Sequence, residues 1–272
     1  MKKHLFIIFS VASALVLTGC GNSSNKSDMS GMAGMHHGAQ DVTLPGTAAK
    51  GGGSYLDEAI PADVLAAPLF DQEGKSFTLG SLKGSFLVIT NFLTSCQEIC
   101  PMTTANSRTI GEAVASSPLK DKVKVLEISV DAERDLAPRL KAYFDMYESK
   151  AFSLASGSKA TLAKVWTYFG APATKMVLTS KDKASLPVDW QTGKPSEYDM
   201  SHPDVVIIVG PDSRWKWIDL GNPNAGQSSI PEKLKKFLSE DGLRNLAKPE
   251  EPTWSVGAVF SALKDLTGTT LA

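Results

Sequence analysis

The sequence predicts an α/β domain in which helices cover both faces of a mixed central sheet. Two continuous apolar runs, "GSFLVITNFL" (84–93) and "VKVLEISV" (123–130), have the β-branched composition of strands that are buried on both faces. Each run is followed by a stretch that suits a helix, and such alternation is typical of parallel strands joined by helices. A later pair of strand-like runs, separated by a short turn, adds a β-hairpin.

The first 20 residues resemble a bacterial lipoprotein signal and are not predicted to belong to that domain. Lys2, Lys3 and His4 precede the apolar run "LFIIFSVASALVL" and then "LTGC", which ends at Cys20. The run is too short to span a bilayer comfortably. Cleavage before Cys20 would leave this cysteine to carry lipid. We therefore expect a protein that is lipid-anchored in the bacterial cell envelope, with its domain outside the cytoplasm, where disulfides persist.

Residues 21–54 are predicted to be a flexible tether between the anchor and the domain. They are rich in Gly, Ser, Ala and Met and hold too few branched apolar side chains to bury a core. Within the tether lies a Met/His cluster, whose members are Met29, Met32, Met35, His36 and His37. Thioether and imidazole groups are ligands that copper accepts. The cluster is therefore either neutral linker or an auxiliary copper-capture site.

The domain is predicted to occupy residues 55–247. It begins with a strand, a turn and a strand in "PLFDQEGKSFTL", with Gly74 in the turn. Three helices are expected, in "MTTANSRTIGEAVASS", "LAPRLKAYFDMY" and "TLAKVWTYFG". Residues 171–201 are polar and are predicted to be irregular.

The last part of the domain is predicted to be a β-hairpin followed by a helix. The hairpin strands are "DVVIIVG" (204–210) and "RWKWIDL", and the helix in "PEKLKKFLSEDGLRNL" begins at Pro231. Residues 248–272 form a C-terminal tail with a short helix that we expect to pack on the domain. This element order, with its N-terminal β extension, predicts a thioredoxin-like fold. Functional residues of such sheets gather at the carboxyl ends of the strands.

A pair of cysteines in "TSCQEICPM" follows the first buried strand. Proline suits the first turn of a helix, so Pro101 predicts that Cys100 lies at a helix N-terminus with Cys96 in the loop above it. The helix dipole would then lower the pKa of both thiols and favour thiolate. Thiolate attacks disulfides and also binds soft metals. The location of the pair therefore fits a redox function and a metal-binding function equally.

Two other interpretations of the pair are less favoured. A disulfide between Cys96 and Cys100 closes a very short loop and would stabilise the fold little. A structural zinc site needs four ligands, and His202 is the only histidine within the predicted domain. A set of two cysteines and one histidine suits copper instead, because thiolate binds Cu(I) and imidazole is acceptable to Cu(II).

Three motifs in this order resemble the SCO (SenC-type) copper-chaperone family: "TNFLTSCQEICPMTTANS", "EISVDAERD" and "SHPDVVIIVGPDSRW". The resemblance covers about residues 60–247 and implies a thioredoxin-like fold that binds one copper, as Cu(I) or Cu(II). It implies that Cys96 and Cys100 are metal ligands and a redox-active pair, with His202 as the third ligand. It also implies that Asp131 lies beside the site, while Arg134 and Asp135 brace the loop after their strand.

The resemblance implies delivery of copper to the copper centre of a respiratory oxidase, or exchange with another copper chaperone, by a protein held at the membrane through its lipid anchor. The alternative is a thiol-disulfide oxidoreductase that keeps a client's copper-site cysteines reduced. The net charge of −1 gives no basic surface that would favour nucleic acid. The chain departs from the family pattern at Gln97 and Glu98, which replace Pro-Asp, at Leu93, and at Pro203 after the histidine.

Overall fold

A computed structural model of the chain describes residues 44–179 and 186–272. The strands of this part are β1 (Thr47–Ala48), β2 (Ser54–Ala59), β3 (Leu69–Asp71), β4 (Ser76–Phe77), β5 (Phe86–Phe92), β6 (Val123–Ser129), β7 (Ser153–Gly157), β8 (Thr174–Val177), β9 (Tyr198–Ser201), β10 (Val205–Val209), β11 (Arg214–Leu220), β12 (Asn222–Asn224) and β13 (Thr253–Ser255). The helices are α1 (Ala62–Leu65), α2 (Cys100–Ala115), α3 (Ala137–Asp145), α4 (Lys159–Tyr168), α5 (Glu232–Lys235), α6 (Glu240–Ala247) and α7 (Val256–Thr267). The residues of the predicted signal, including Cys20, and the Met/His cluster lie outside the described residues.

The main sheet has nine strands in the order β1-β2-β11-β10-β5-β6-β7-β3-β4. Strands β5, β6 and β7 are parallel, whereas β10 and β11 continue the sheet from β5 in antiparallel pairs. The central order β6-β5-β10-β11, with α2 joining β5 to β6, is that of a thioredoxin-like domain. The predicted fold class, a mixed sheet in an α/β domain, is confirmed.

The sheet topology brings three separate chain segments to one edge. Strands β5 and β6 are parallel, so the loops that follow them leave from the same edge. Strand β10 is antiparallel to β5, with Val206 opposite Thr90, and it therefore starts at that edge. The edge thus carries the cysteine loop after β5, Asp131 after β6, and His202 just before β10. Strands β5 and β10 are buried along nearly their whole length, which fixes the register of these segments.

The ordered structure starts earlier than residue 55, where the sequence predicted the domain to begin. Strand β1 pairs with β2, and β2 extends the sheet at β11. The carbonyl of Gly52 accepts a hydrogen bond from the indole of Trp217 at 3.2 Å. Strand β1 lies at the end of the sheet with both of its residues exposed, and its short polar surroundings are why composition alone assigned it to the tether.

Two predictions about the later segments were wrong. Residues 171–201 were predicted to be irregular, but β8 and β9 within them pair as antiparallel strands, of which β8 is mostly exposed and β9 is partly buried. The helix predicted from Pro231 is divided into α5 and α6. The side chain of Ser239 accepts a hydrogen bond from Gly242 N at 3.0 Å and starts α6 anew.

The C-terminal tail packs on the domain through α7. Val259 and Leu263 of this helix are fully buried, and α7 lies against α2, the helix that carries Cys100. Strand β13 pairs in parallel with β12. Across residues 44–179 and 186–272, none of the helices combines the length and the apolar character that crossing a membrane requires.

Candidate metal centre

Cys96 and Cys100 meet at the N-terminus of α2. Cys100 is the first residue of the helix and is 1% exposed, whereas Cys96 lies in the preceding loop and is partly exposed. The Cys96 sulfur accepts hydrogen bonds from Ile99 N at 3.5 Å and from Cys100 N at 3.4 Å. The two cysteines form no disulfide, and Cys96 contributes to the raised pKa of Cys100. The loop therefore turns as Pro101 predicted, and it places one sulfur over the end of the helix.

The buried position of Cys100 opposes the predicted effect of the helix dipole. Burial is the largest influence and raises the pKa of this thiol well above its ordinary value. The hydrogen bond with Cys96 and the nearby carboxyl of Asp204 raise the pKa further. The prediction that both thiols have a lowered pKa is therefore wrong for Cys100, because desolvation outweighs the dipole there.

His202 reaches the same pocket as Cys96. The pocket has a volume of about 80 Å³, and its lining includes Cys96, His202, Met200, Tyr198 and Arg134. His202 itself is 4% exposed. In the part of the chain that the structure describes, no three His, Cys, Asp or Glu side chains are grouped as a metal site would require. The topology nevertheless places the three predicted ligands at one edge of the sheet, where Cys96 and His202 line the same pocket.

Two buried polar residues that the sequence analysis missed surround the Nδ1 atom of His202. The Asn91 side-chain nitrogen lies 3.0 Å from Nδ1, and the Asp204 Oδ1 atom lies 3.6 Å from it. Burial, followed by the charge of Glu98, raises the pKa of Asp204 well above its ordinary value. The sequence could have pointed to both residues, because each is a polar residue in or beside an apolar run: Asn91 in "VITNFL" and Asp204 in "DVVIIVG".

Asp135 fastens the cysteine loop to the end of β6. Its carboxylate accepts hydrogen bonds from Thr94 N at 3.2 Å, Thr94 Oγ1 at 2.5 Å and Ser129 Oγ at 2.6 Å. Burial first, and then the charge of Asp131, raise the pKa of Asp135 to about 6. Arg139 Nε also donates to Thr94 Oγ1, at 2.5 Å. Asp135 therefore braces the loop that carries Cys96.

Residues 187–191 cover the same loop from outside. Trp190 Nε1 donates to Thr94 O at 2.7 Å, and Asp189 accepts a hydrogen bond from Arg139 Nη2 at 2.5 Å. Arg139 and Asp189 are both largely buried, so this ion pair is shielded from water. Arg139 thereby ties the covering segment to the residue that begins the cysteine loop.

Gln97, which replaces a proline of the family pattern, also holds the loop. Its side-chain nitrogen donates to Val188 O at 2.9 Å, and its backbone oxygen accepts from Ser239 N at 2.9 Å. A Cβ atom at Gly242 would approach that oxygen to 2.1 Å, so only glycine fits there. Gln97 therefore joins the cysteine loop to the covering segment and to the start of α6.

Asp131 contacts residues that line the pocket and does not line it itself. Its carboxylate accepts the Nε–H of Arg134 and the hydroxyl of Tyr198, the latter at 2.9 Å. Arg134 Nη1 in turn donates to Tyr198 O at 3.0 Å. Asp131 is thus placed one contact behind the pocket wall, and Arg134 joins the loop after β6 to strand β9.

Comparisons with known proteins converge on one family. The SCO1/SenC family model matches residues 67–239. A Stutzerimonas stutzeri protein, named for an inferred ability to bind copper, is 26% identical over 145 residues, which are 53% of this chain and 62% of that protein. The SCO1 protein homolog of Bacillus subtilis (strain 168) is 28% identical over 96 residues, 35% of this chain and 49% of that protein. The matches thus span only about half to three fifths of these relatives.

The structure of Bradyrhizobium japonicum ScoI with copper bound is 26% identical, covers 68% of this chain and 96% of that chain, and has a TM-score of 0.45.

Proposed function

The chain belongs to the SCO1/SenC family, and we propose that it binds one copper ion through Cys96, Cys100 and His202 and passes this ion to another protein. Copper is the cargo in this proposal. The observation that carries it is the position of two unbridged cysteines at the N-terminus of α2, with His202 in the same pocket as Cys96. Two soft sulfur donors and one imidazole suit both oxidation states of copper.

The surroundings of the Cys96 sulfur favour its thiolate form. Ile99 N and Cys100 N point at the Cys96 sulfur, and such N–H groups at a helix N-terminus favour negative charge. Cys100 must lose its proton to bind copper, and its raised pKa makes loading easier as the pH rises. A buried sulfur and a partly exposed one also give copper a route in and out through Cys96.

We propose the copper centre of a respiratory oxidase, or another copper chaperone, as the receiving protein. Family membership supports this choice. The lipoprotein-like sequence that ends at Cys20 supports a membrane anchor in the bacterial cell envelope. Such an anchor would keep the domain beside a membrane-bound client.

Replacing His202 with alanine tests the three-ligand model. We expect His202→Ala to weaken copper binding by more than about tenfold, because even residues that only support a metal ligand contribute that much. Copper affinity is measured by competition with a chromophoric chelator, on the full chain, beside His202→Asn as a variant that keeps a polar side chain. Equal stoichiometry and affinity in wild type and His202→Ala would contradict the model.

A second function, thiol-disulfide exchange, is supported by the unequal burial of the two cysteines. The partly exposed Cys96 can attack a client disulfide, and the buried Cys100 can then resolve the mixed disulfide. This reaction needs no histidine. His202→Ala should therefore leave the rate of disulfide reduction within about twofold of wild type, and a parallel loss of both activities would contradict the separation of roles.

The Met/His cluster of residues 28–37 is proposed as a second, weaker copper site. Deleting this segment should remove one weak copper equivalent and leave the tight one, because thioether and imidazole donors bind copper without the cysteines. The measurement is the number of copper ions bound per chain. A matched control keeps the length of the segment and replaces only Met29, Met32 and Met35 by leucine and His36 and His37 by asparagine. An unchanged copper count in both variants would exclude the second site.

A further inference from the structure

A buried carboxyl without a hydrogen-bond donor lies beside His202. Asp204 is 7% exposed, and its Oδ1 atom has no hydrogen-bond partner among the described residues. Oδ1 is also the atom that lies 3.6 Å from His202 Nδ1, slightly beyond hydrogen-bond distance. Buried polar atoms are almost always hydrogen-bonded. Asp204 Oδ1 therefore lacks a hydrogen-bond donor, and a proton on His202 Nδ1 would supply one.

Asn91 holds His202 in a state that does not provide this donor. The Asn91 amide is oriented by two backbone contacts: its nitrogen donates to Pro203 O at 2.6 Å, and its oxygen accepts from Val205 N at 3.1 Å. Its N–H group consequently faces Nδ1, at an N···N distance of 3.0 Å. A neutral histidine that accepts a hydrogen bond at Nδ1 carries its proton on Nε2.

Metal binding at Nε2 requires the other tautomer, with the proton on Nδ1. Metal-bound histidines commonly donate that remaining N–H to a carboxylate or a backbone carbonyl. Two acceptors are near Nδ1: Pro203 O at 3.2 Å and Asp204 Oδ1 at 3.6 Å. The Pro203 carbonyl already accepts from Asn91 at 2.6 Å. A carbonyl oxygen can accept a second hydrogen bond, but Asp204 Oδ1 is the buried acceptor that has no donor at all among the described residues.

We propose that Asp204 is a positioning residue that selects the metal-binding tautomer of His202, in competition with Asn91, which selects the metal-free one. This inference rests on the proposed function. When copper binds Nε2, the ring proton is relocated from Nε2 to Nδ1 and is donated to Asp204, so that the ring stays neutral. A small turn of the ring then exchanges the contact with Asn91 for the contact with Asp204. The Nδ1 atom of His202 thereby has one partner without the metal, Asn91, and another with it, Asp204.

Asp204→Val and Asp204→Asn test this role on the full chain, with Cu(I) alone as the probe. Valine continues the apolar strand and removes an unpaired buried carboxyl, so this variant should be at least as stable to urea as the wild type. It should bind Cu(I) about 10- to 100-fold more weakly. Asparagine keeps a carbonyl oxygen that can accept the Nδ1–H, and it should restore part of the affinity. A purely structural role would instead lower the stability and leave the copper affinity unchanged.

Nitrogen-15 NMR of the His202 ring gives a direct measurement of the tautomer. We expect the proton on Nε2 in metal-free wild type and on Nδ1 in the Cu(I)-loaded protein. The matched control is Asp219→Val, which removes another buried carboxyl, on strand β11 opposite Val206. It should leave Cu(I) affinity and the tautomer unchanged.

The outcomes separate this inference from the function on which it rests. Wild type that binds no copper would overturn both. Wild type that binds copper while Asp204→Val binds it equally well, or while Asp219→Val loses as much affinity, would overturn only the role of Asp204. A metal-free wild type that already carries its proton on Nδ1 would overturn the competition with Asn91.

Discussion

Replacing either Cys96 or Cys100 with serine should lower copper affinity by more than about 100-fold, beyond the loss that changes around a metal ligand produce. Serine has nearly the shape of cysteine, but its hydroxyl is a hard donor that does not replace a soft thiolate for Cu(I). The Cys96 sulfur lies over the first residue of α2, which is Cys100, so a copper ion that binds one sulfur is placed close to the other. X-ray absorption should show fewer copper–sulfur neighbours in both variants.

The two variants should differ in disulfide chemistry although they agree in copper binding. In Cys100→Ser, the partly exposed Cys96 can still attack a disulfide, and the mixed disulfide then accumulates because no thiol resolves it. In Cys96→Ser, the thiol of the pair that remains is Cys100. It is 1% exposed and has a raised pKa, so it should react far more slowly. Trapping with a small aromatic disulfide, followed by mass measurement, distinguishes the two.

Cys20→Ser is the matched control for the cysteine pair. It removes the thiol that the sequence assigns to lipidation. In a chain whose signal has not been cleaved, this variant should leave the tight copper site and the disulfide chemistry of Cys96 and Cys100 unchanged. Retained copper affinity in Cys96→Ser or Cys100→Ser would contradict the two-sulfur site. Faster trapping of Cys100 than of Cys96 would contradict the assignment of Cys96 as the attacking residue.

The sequence predicted the sheet and the cysteine pair because both are encoded locally. The runs at 84–93 and 123–130 are rich in branched apolar residues, as strands buried on both faces usually are. Pro101 restricts the chain at the start of α2, and the position of Cys96 above the helix follows from that restriction. Such local signals do not depend on what the rest of the chain does.

The surroundings of His202 could not be predicted in this way, because they depend on contacts between distant segments. Asn91 and His202 are 111 positions apart, and they meet only because β5 and β10 are neighbours in the sheet. The covering segment that contains Trp190 was predicted to be irregular. It has no strand or helix periodicity, and its position depends on contacts with Thr94 and Arg139 that no local pattern reveals.

Replacing Glu127 with glutamine should remove a large loss of stability that the wild type suffers as the pH rises. Glu127 lies in β6 and is fully buried, with one oxygen accepting a hydrogen bond from Thr104 Oγ1 at 2.8 Å and the other without a partner in the described part of the chain. Burial is the main cause that raises the pKa of this carboxyl to about 8, from an ordinary value of 4.5. Thr104 lies in α2, and its hydroxyl also donates to Cys100 O at 3.1 Å.

Stability falls as the pH rises because the folded protein and the unfolded chain release the Glu127 proton at different pH values. Between about pH 4.5 and pH 8, the folded protein holds a proton on Glu127 that the unfolded chain has released. The contribution of Glu127 to stability is therefore fully present below about pH 4.5. It declines by about 1.4 kcal/mol per pH unit as the pH rises towards 8, up to about 5 kcal/mol in total. Glutamine keeps the shape of the neutral acid and has no proton to lose, so the decline should disappear.

Urea unfolding of the metal-free protein at several pH values from 5 to 9 measures this effect. Asp135 and Asp219 also have a pKa raised to about 6 and add their own decline at lower pH, but they do so equally in wild type and variant. The difference between the two curves therefore isolates Glu127. Glu112→Gln, on the exposed side of α2, is the matched control and should follow the wild type. If the stability of wild type and of Glu127→Gln changes in parallel from pH 5 to 9, Glu127 does not carry the buried proton. The carboxyl that contacts Thr104 of α2 would then not be neutral.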